Sequence, residues 1–107
     1  MKYPVTQHHD YVVLQLTGEI DLSESPNARK QILNFIKNNN NLLVDLSLVE
    51  YIDSSGVASL VEGFQTSRAE QLKFALVGVS ASAMQVLQLA RLDSVFTIYT
   101  SLDDVKE

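Results

Sequence analysis

The sequence predicts an α/β fold: a small mixed β-sheet of four to five strands flanked by three to four α-helices. Apolar spacing along the chain switches repeatedly between short runs of Val and Leu and helical stripes at i, i+3, i+4 and i+7. Capping and turn residues (His9-Asp10, Ser25-Pro26, Asn38 to Asn41, Gly78 to Ser80) fall where the period changes. Strands that alternate with helices need crossover connections. The later part of the sheet is therefore expected to be parallel or mixed, with the helices packed on it.

The first half opens with strands, and Val5, His8 and His9 lie near a turn at His9-Asp10. Tyr11 to Thr17 follows; Val13 together with Tyr11, Val12, Leu14 and Leu16 makes it apolar on nearly both faces, as in a central strand. Gly18 is expected to stop it. Ser25 then reads as a helix N-cap with Pro26 at the first helical position, and Ala28, Ile32, Phe35 and Ile36 form the stripe. Asn38 to Asn41 break the helix, because asparagine side chains compete for backbone hydrogen bonds. Leu42-Leu43-Val44 reads as a short buried strand. From Gly56 the spacing of Val57, Leu60, Val61 and Phe64 predicts a second helix to about Glu70. Leu72 to Val77 is another apolar strand, closed by Gly78. Ser80 or Ser82 caps a third helix with the stripe Ala83, Val86, Leu87 and Ala90. Val95 to Tyr99 is the last strand, and Ser101 with Asp103 and Asp104 suggests a short terminal helix. No internal repeat and no linker interrupts this order, so residues 1–107 are expected to form a single domain.

Composition excludes several classes of function. At 107 residues, with 46% hydrophobic and 20% charged side chains, the chain has the makeup of one ordered domain rather than a disordered one. It can bury roughly two thirds of its unfolded surface. The absence of cysteine rules out disulfides, thiolate metal sites and cysteine nucleophiles. Apolar runs are too short to span a bilayer. Met1-Lys2-Tyr3-Pro4 is not followed by a signal-peptide core, so the cytoplasm is the expected compartment. Eight basic against 13 acidic side chains give a net charge of −5. Nucleic acid and anionic membrane are thereby disfavoured as direct partners, since both require a positive patch.

The most informative segment runs from Asp45 to Val57, where a buried strand gives way to a helix. Asp53, Ser54, Ser55 and Gly56 gather at that turn. Local physics favours a plain helix cap, in which Asp and Ser accept hydrogen bonds from the first free N–H groups. A serine there also has its hydroxyl beside the positive end of the helix dipole, where a phosphate is tolerated. Spacing alone does not separate the two readings, and one serine can serve both.

Asp45-Leu46-Ser47 followed by Tyr51-Ile52-Asp53-Ser54-Ser55-Gly56 resembles the signature of the STAS domain, the family of bacterial anti-sigma factor antagonists. The resemblance extends upstream to Leu16-Thr17-Gly18-Glu19-Ile20-Asp21, similar to the family's Gly-Glu-Ile-Asp element. Downstream it takes in Phe74 to Val79, Val86-Leu87, Leu92-Asp93 and Phe96. It implies a STAS-like fold and a phosphorylation-switched binding module in transcription regulation rather than an enzyme. Such an antagonist captures an anti-sigma factor, often itself a serine kinase, and so releases a sigma factor. A phosphatase of the protein phosphatase 2C type restores binding. By position the resemblance makes Ser54 the phosphoacceptor and places Asp21, Asp53, Ser55 and Gly56 at the partner-binding surface. It implies no cofactor, no metal and no catalytic residue. A second role in the same family is that of an accessory subunit bound to the ATPase of a lipid-trafficking ABC transporter. Members of that kind often carry Thr or Ala at the acceptor position, and the intact Asp53-Ser54-Ser55-Gly56 favours the first role.

Other candidates are weaker. Adjacent residues of a strand point to opposite faces, so His8 and His9 are expected not to chelate together. Asp45 and Asp53 mimic a carboxylate pair, yet no base or oxyanion loop accompanies them. Gly18, Gly56, Gly63 and Gly78 fit no phosphate-cradling loop. Met84 and its apolar neighbours read as core.

Overall fold

The structure, a computed structural model, describes residues 3–106; Met1 and Lys2, with which the N-terminal reading begins, and Glu107 lie outside the described residues. Five strands and three helices alternate as expected: β1 (Val5–His8), β2 (Tyr11–Ile20), α1 (Ser25–Lys37), β3 (Asn41–Ile52), α2 (Ser54–Ala69), β4 (Phe74–Val77), α3 (Ala81–Leu89) and β5 (Ile98–Tyr99). A 3-10 turn at Leu102–Asp104 follows, opened by a capping box between Ser101 and Asp104. The sheet order is β1-β2-β3-β4-β5, with β1 antiparallel to β2 and every later pairing parallel.

Spatial order here equals chain order, and this has a geometric consequence. Right-handed crossovers that always step in the same direction deposit every helix on the same face of the sheet. Accordingly Val12, Leu14 and Leu16 of β2, and Leu42, Val44 and Leu46 of β3, share one core with Ala28, Ile32 and Ile36 of α1, Leu60 of α2 and Leu87 of α3. The alternate residues Tyr11, Val13, Leu43, Ala75 and Val77 face the other way. Tyr99, Leu102 and Val105 cover that second face. The order never reverses, so the sheet lacks the crevice at a topological switch point where open α/β sheets usually hold small ligands. Among the described residues, no helix is long and apolar enough to cross a membrane.

The helical face of α2 is read differently by hydropathy and by packing. Its buried residues are Gly56, Val57, Ser59, Leu60, Gly63 and Ser67, while Val61 and Phe64 only flank the core. Small residues bring α2 close to its neighbours: a Cβ on Gly63 would lie 2.6 Å from Ile32 Cγ2 and 2.9 Å from Phe74 Cε2. Phe64 fills the flank by meeting Phe96 edge-on at 5.6 Å between ring centroids.

Several boundaries differ from the sequence expectation. Gly18 does not stop β2. It takes φ +74° beside one of two register shifts, and the strand runs on to Ile20. The Leu42–Val44 strand is really 12 residues long, reaching Ile52. The continuation of β2 and β3 beyond Asp45 forms a two-stranded ribbon past the ends of β1 and β4, so burial on two faces no longer marks it. Bulges of this kind increase local twist and redirect a strand end. Ser80 caps α3 and ties it to the ribbon: its backbone N–H donates to Leu46 O (3.2 Å) and its hydroxyl to Val49 O (2.8 Å). Ala90, placed on the α3 stripe, is its exposed C-cap. Ser25 is not the cap of α1. That position belongs to Glu24, whose side chain makes no capping bond, and Ser25 is the first helical residue. The last two strands are shorter than expected, running only over Phe74–Val77 and Ile98–Tyr99.

Candidate functional site

The ribbon ends in two corners with the same chemistry. Ile20 and Ile52 are register partners, and each is followed by Asp-x-Ser: Asp21-Leu22-Ser23 and Asp53-Ser54-Ser55. Asp21 Oδ1 accepts hydrogen bonds from the Ser23 N–H (3.0 Å), the Ser23 hydroxyl (2.6 Å) and the Glu24 N–H (3.2 Å). Asp53 Oδ1 accepts the same three, from the Ser55 N–H (2.9 Å), the Ser55 hydroxyl (2.5 Å) and the Gly56 N–H (3.2 Å). This short local repeat was visible in the sequence as a doubled Ile-Asp-x-Ser, although the chain as a whole shows no repeat period.

The strands bring these corners side by side. The Asp53 N–H donates to Ile20 O at 3.3 Å, directly bridging the two chain segments. Hydrogen bonds from the serine hydroxyls, and then from backbone N–H groups, hold both carboxyls below the usual aspartate range. The Leu22 backbone also lowers Asp53, while the Asp53 charge pushes Asp21 the other way. Both carboxylates are thus ionised and close enough to sense each other. Tyr3, buried behind them, donates its hydroxyl to Glu24 Oε2 (3.3 Å). Burial and the Glu24 charge push its pKa up to about 12, so that proton stays in place.

Within the Asp53 corner the side chains divide by task. Ser55 is half-buried and its hydroxyl is committed to Asp53. Gly56 is buried; a Cβ there would lie 2.6 Å from Ile52 Cγ1 and 2.8 Å from the Ile20 carbonyl oxygen. Only glycine lets α2 start this close to the ribbon. Ser54, the first residue of α2, is exposed, and its hydroxyl makes no hydrogen bond to a described residue. Two of the first backbone donors of α2 are already taken, since the Ser55 and Gly56 N–H groups point at Asp53.

A family model of the STAS domain matches residues 2–105. The chain belongs to the STAS domain family. Among its relatives, the anti-sigma-F factor antagonist RsfB of Mycobacterium tuberculosis is 28% identical over 101 residues, which is 94% of this chain and 82% of the relative. The anti-sigma-B factor antagonist of Listeria monocytogenes is 27% identical over 90 residues, covering 83% of this chain and 79% of the relative. The crystal structure of an anti-sigma factor antagonist from Mycobacterium paratuberculosis superposes with a TM-score of 0.82. It is 28% identical, with 96% of this chain and 88% of that one covered. The mixed sheet with helices is therefore the STAS architecture.

Other sequence candidates fall outside this STAS corner. Asp45 lies at the far end of the ribbon, eight residues before Asp53 and roughly 25 Å away along an extended strand. Its carboxylate accepts from Gln15 Nε2 (3.3 Å) and the Ser47 N–H (2.8 Å), so the two aspartates form no pair. The expectation for the histidines used the wrong geometry. His9 is a turn residue at φ +54°, not a strand residue, and its ring packs on His8 with centroids 4.4 Å apart. Among the described residues no group of three His, Asp or Glu side chains is arranged to hold a metal. Leu22 was missed altogether: it is 75% exposed beside the Asp53 carboxylate. The doubled Ile-Asp-x-Ser was the signal that places it at the position equivalent to Ser54.

Proposed function

We propose that this chain is an anti-sigma factor antagonist whose binding is switched by phosphorylation of Ser54. The observation that carries this reading is the exposed, uncommitted Ser54 hydroxyl set between two ionised aspartates, next to a Ser55 hydroxyl already spent on the cap. Its partners are an anti-sigma factor that acts as its serine kinase and a phosphatase of the protein phosphatase 2C type, all in the cytoplasm. Asp21 and Asp53 lie on the docking surface. Gly56 and Ser55 contribute by shaping it, Gly56 from beneath and Ser55 by holding Asp53.

The switch acts through charge rather than conformation. A phosphate on Ser54 adds about −1.5 to −2 charges. Asp53 already occupies the Ser55 and Gly56 N–H groups, two of the helix donors that would otherwise cradle it. The nearest arginine along α1, Arg29, is bound to Glu62 through Nε (2.6 Å) and Nη2 (2.8 Å). The new dianion is left facing Asp21 and Asp53, and a partner surface matched to a hydroxyl must desolvate it unpaired.

Incubation with the anti-sigma kinase of the same organism and ATP, followed by peptide mass spectrometry, tests the site. Phosphate on Ser54 is expected, and none on Ser54→Ala. Phosphate on Ser55 alone contradicts the assignment. No phosphate, with co-purification of a transporter ATPase instead, assigns the chain to the transporter role.

A further inference from the structure

The twin of Ser54 is a large apolar side chain held out in water. Leu22 is 75% exposed, yet its backbone belongs to a turn fixed by three hydrogen bonds to Asp21. A leucine that stays in the same exposed place on a rigid turn is already arranged for an interface and loses little freedom on docking. The ionised Asp21 and Asp53 flank it with negative charge. An apolar centre with a polar, charged margin is the composition of an interface hot spot and its rim. Adjacent strands lie about 4.8 Å apart, so Leu22 and Ser54, which follow paired residues, are near neighbours.

We propose that Leu22 is the apolar anchor of the docking surface, seated in an apolar pocket that basic side chains rim on a folded protein partner. The proposal rests on the antagonist reading above and deepens it by naming what the partner grips. It also explains why a modification at Ser54 would be decisive: the phosphate would stand at the mouth of the pocket that must close over Leu22. Charge complementarity selects the occupant. A second copy of this chain carries the same acidic ring and would meet it with like charge.

The test is a calorimetric titration with purified anti-sigma factors from the same organism, using wild type, Leu22→Ala, Leu22→Met and Leu22→Asp. Leu89→Ala serves as the control, since Leu89 is 83% exposed at the far end of α3. Leu22→Ala is expected to weaken binding by about tenfold or more, and Leu22→Asp to abolish it. Leu22→Met and Leu89→Ala should stay within about threefold of wild type. Melting temperatures should be unchanged throughout, because the side chain supports no core. If wild type binds and Leu22→Ala binds equally well, the anchor is wrong and the antagonist reading stands. If wild type binds none of these factors, both fall. A wild-type dimer that Leu22→Ala dissociates, with partner affinity unaltered, makes a second copy the occupant and overturns the proposal.

Discussion

The two corners that end β2 and β3 are built alike and used differently. Each places an aspartate after an isoleucine and satisfies it with the N–H and hydroxyl of a serine two residues on. They diverge at the second and fourth positions of the turn. At the Asp53 corner, Gly56 lets α2 start against the Ile20 carbonyl, and Asp53 is itself the N-cap. At the Asp21 corner the chain runs on through Glu24 before α1 begins, and Asp21 caps only the turn. The side chain between Asp and Ser is free of structural duty in both, and belongs to Ser54 in one and Leu22 in the other. A repeated cap therefore fixes the backbone and leaves one side chain at each corner available for recognition.

Substitution at the fourth position should separate the corners most. Gly56→Ala drives a Cβ into a backbone oxygen and Ile52, and overpacking of this kind costs roughly 1–3 kcal/mol. Urea denaturation should show that loss, while Glu24→Ala at the equivalent place should cost much less. Equal losses would mean that the close approach of α2 is not special.

Removing the aspartates should give a smaller contrast in the same direction. Asp53→Ala deprives a 16-residue helix of its cap and should lower the melting temperature by a few degrees. Asp21→Ala should lower it less, because α1 begins after Glu24. Asp53→Asn should recover most of the loss, since asparagine also caps.

Acidity offers a finer comparison. Both carboxyls have folded pKa values below the ordinary one, chiefly through the serine hydroxyls, so their contribution is complete above the unfolded value near 4. It is lost as pH falls through the folded values. Thermal melts from pH 6 to pH 2.5 should therefore show an acid limb that is shallower in Asp53→Asn and in Asp21→Asn than in wild type. An unchanged limb in both variants would place the acid sensitivity elsewhere.

How much of this was legible in the residues depends on what each signal measures. The period changes at Gly56 and Ser80 placed α2 and α3 because hydropathy reports burial, and those helices bury one face. Leu42-Leu43-Val44 marked only the two-sided part of β3; the ribbon beyond it is exposed at Leu48, Glu50 and Tyr51 and has no such run. Asp53-Ser54-Ser55-Gly56 identified the corner, but only coordinates show that Ser55 is committed and Ser54 is not. The α2 face was misjudged because Gly63 and Ser67 carry no hydropathy signal, although both are buried and Gly63 packs tightly on Ile32 and Phe74. Leu22 escaped notice since an isolated exposed leucine is ordinary until the pairing of Ile20 with Ile52 is known.

The central claim is that stability and partner binding at this corner are separate properties. Ser54→Asp tests it most directly, measured as paired thermal melts and calorimetric affinity for the anti-sigma factor. A negative charge at a helix N-terminus is worth about 0.3–1 kcal/mol in favour, here offset by the two nearby aspartates. The melting temperature should accordingly match wild type within about 2 °C, while affinity falls at least about a hundredfold. A variant that melts normally and binds like wild type would contradict the switch. One that loses affinity only because it unfolds would contradict the separation.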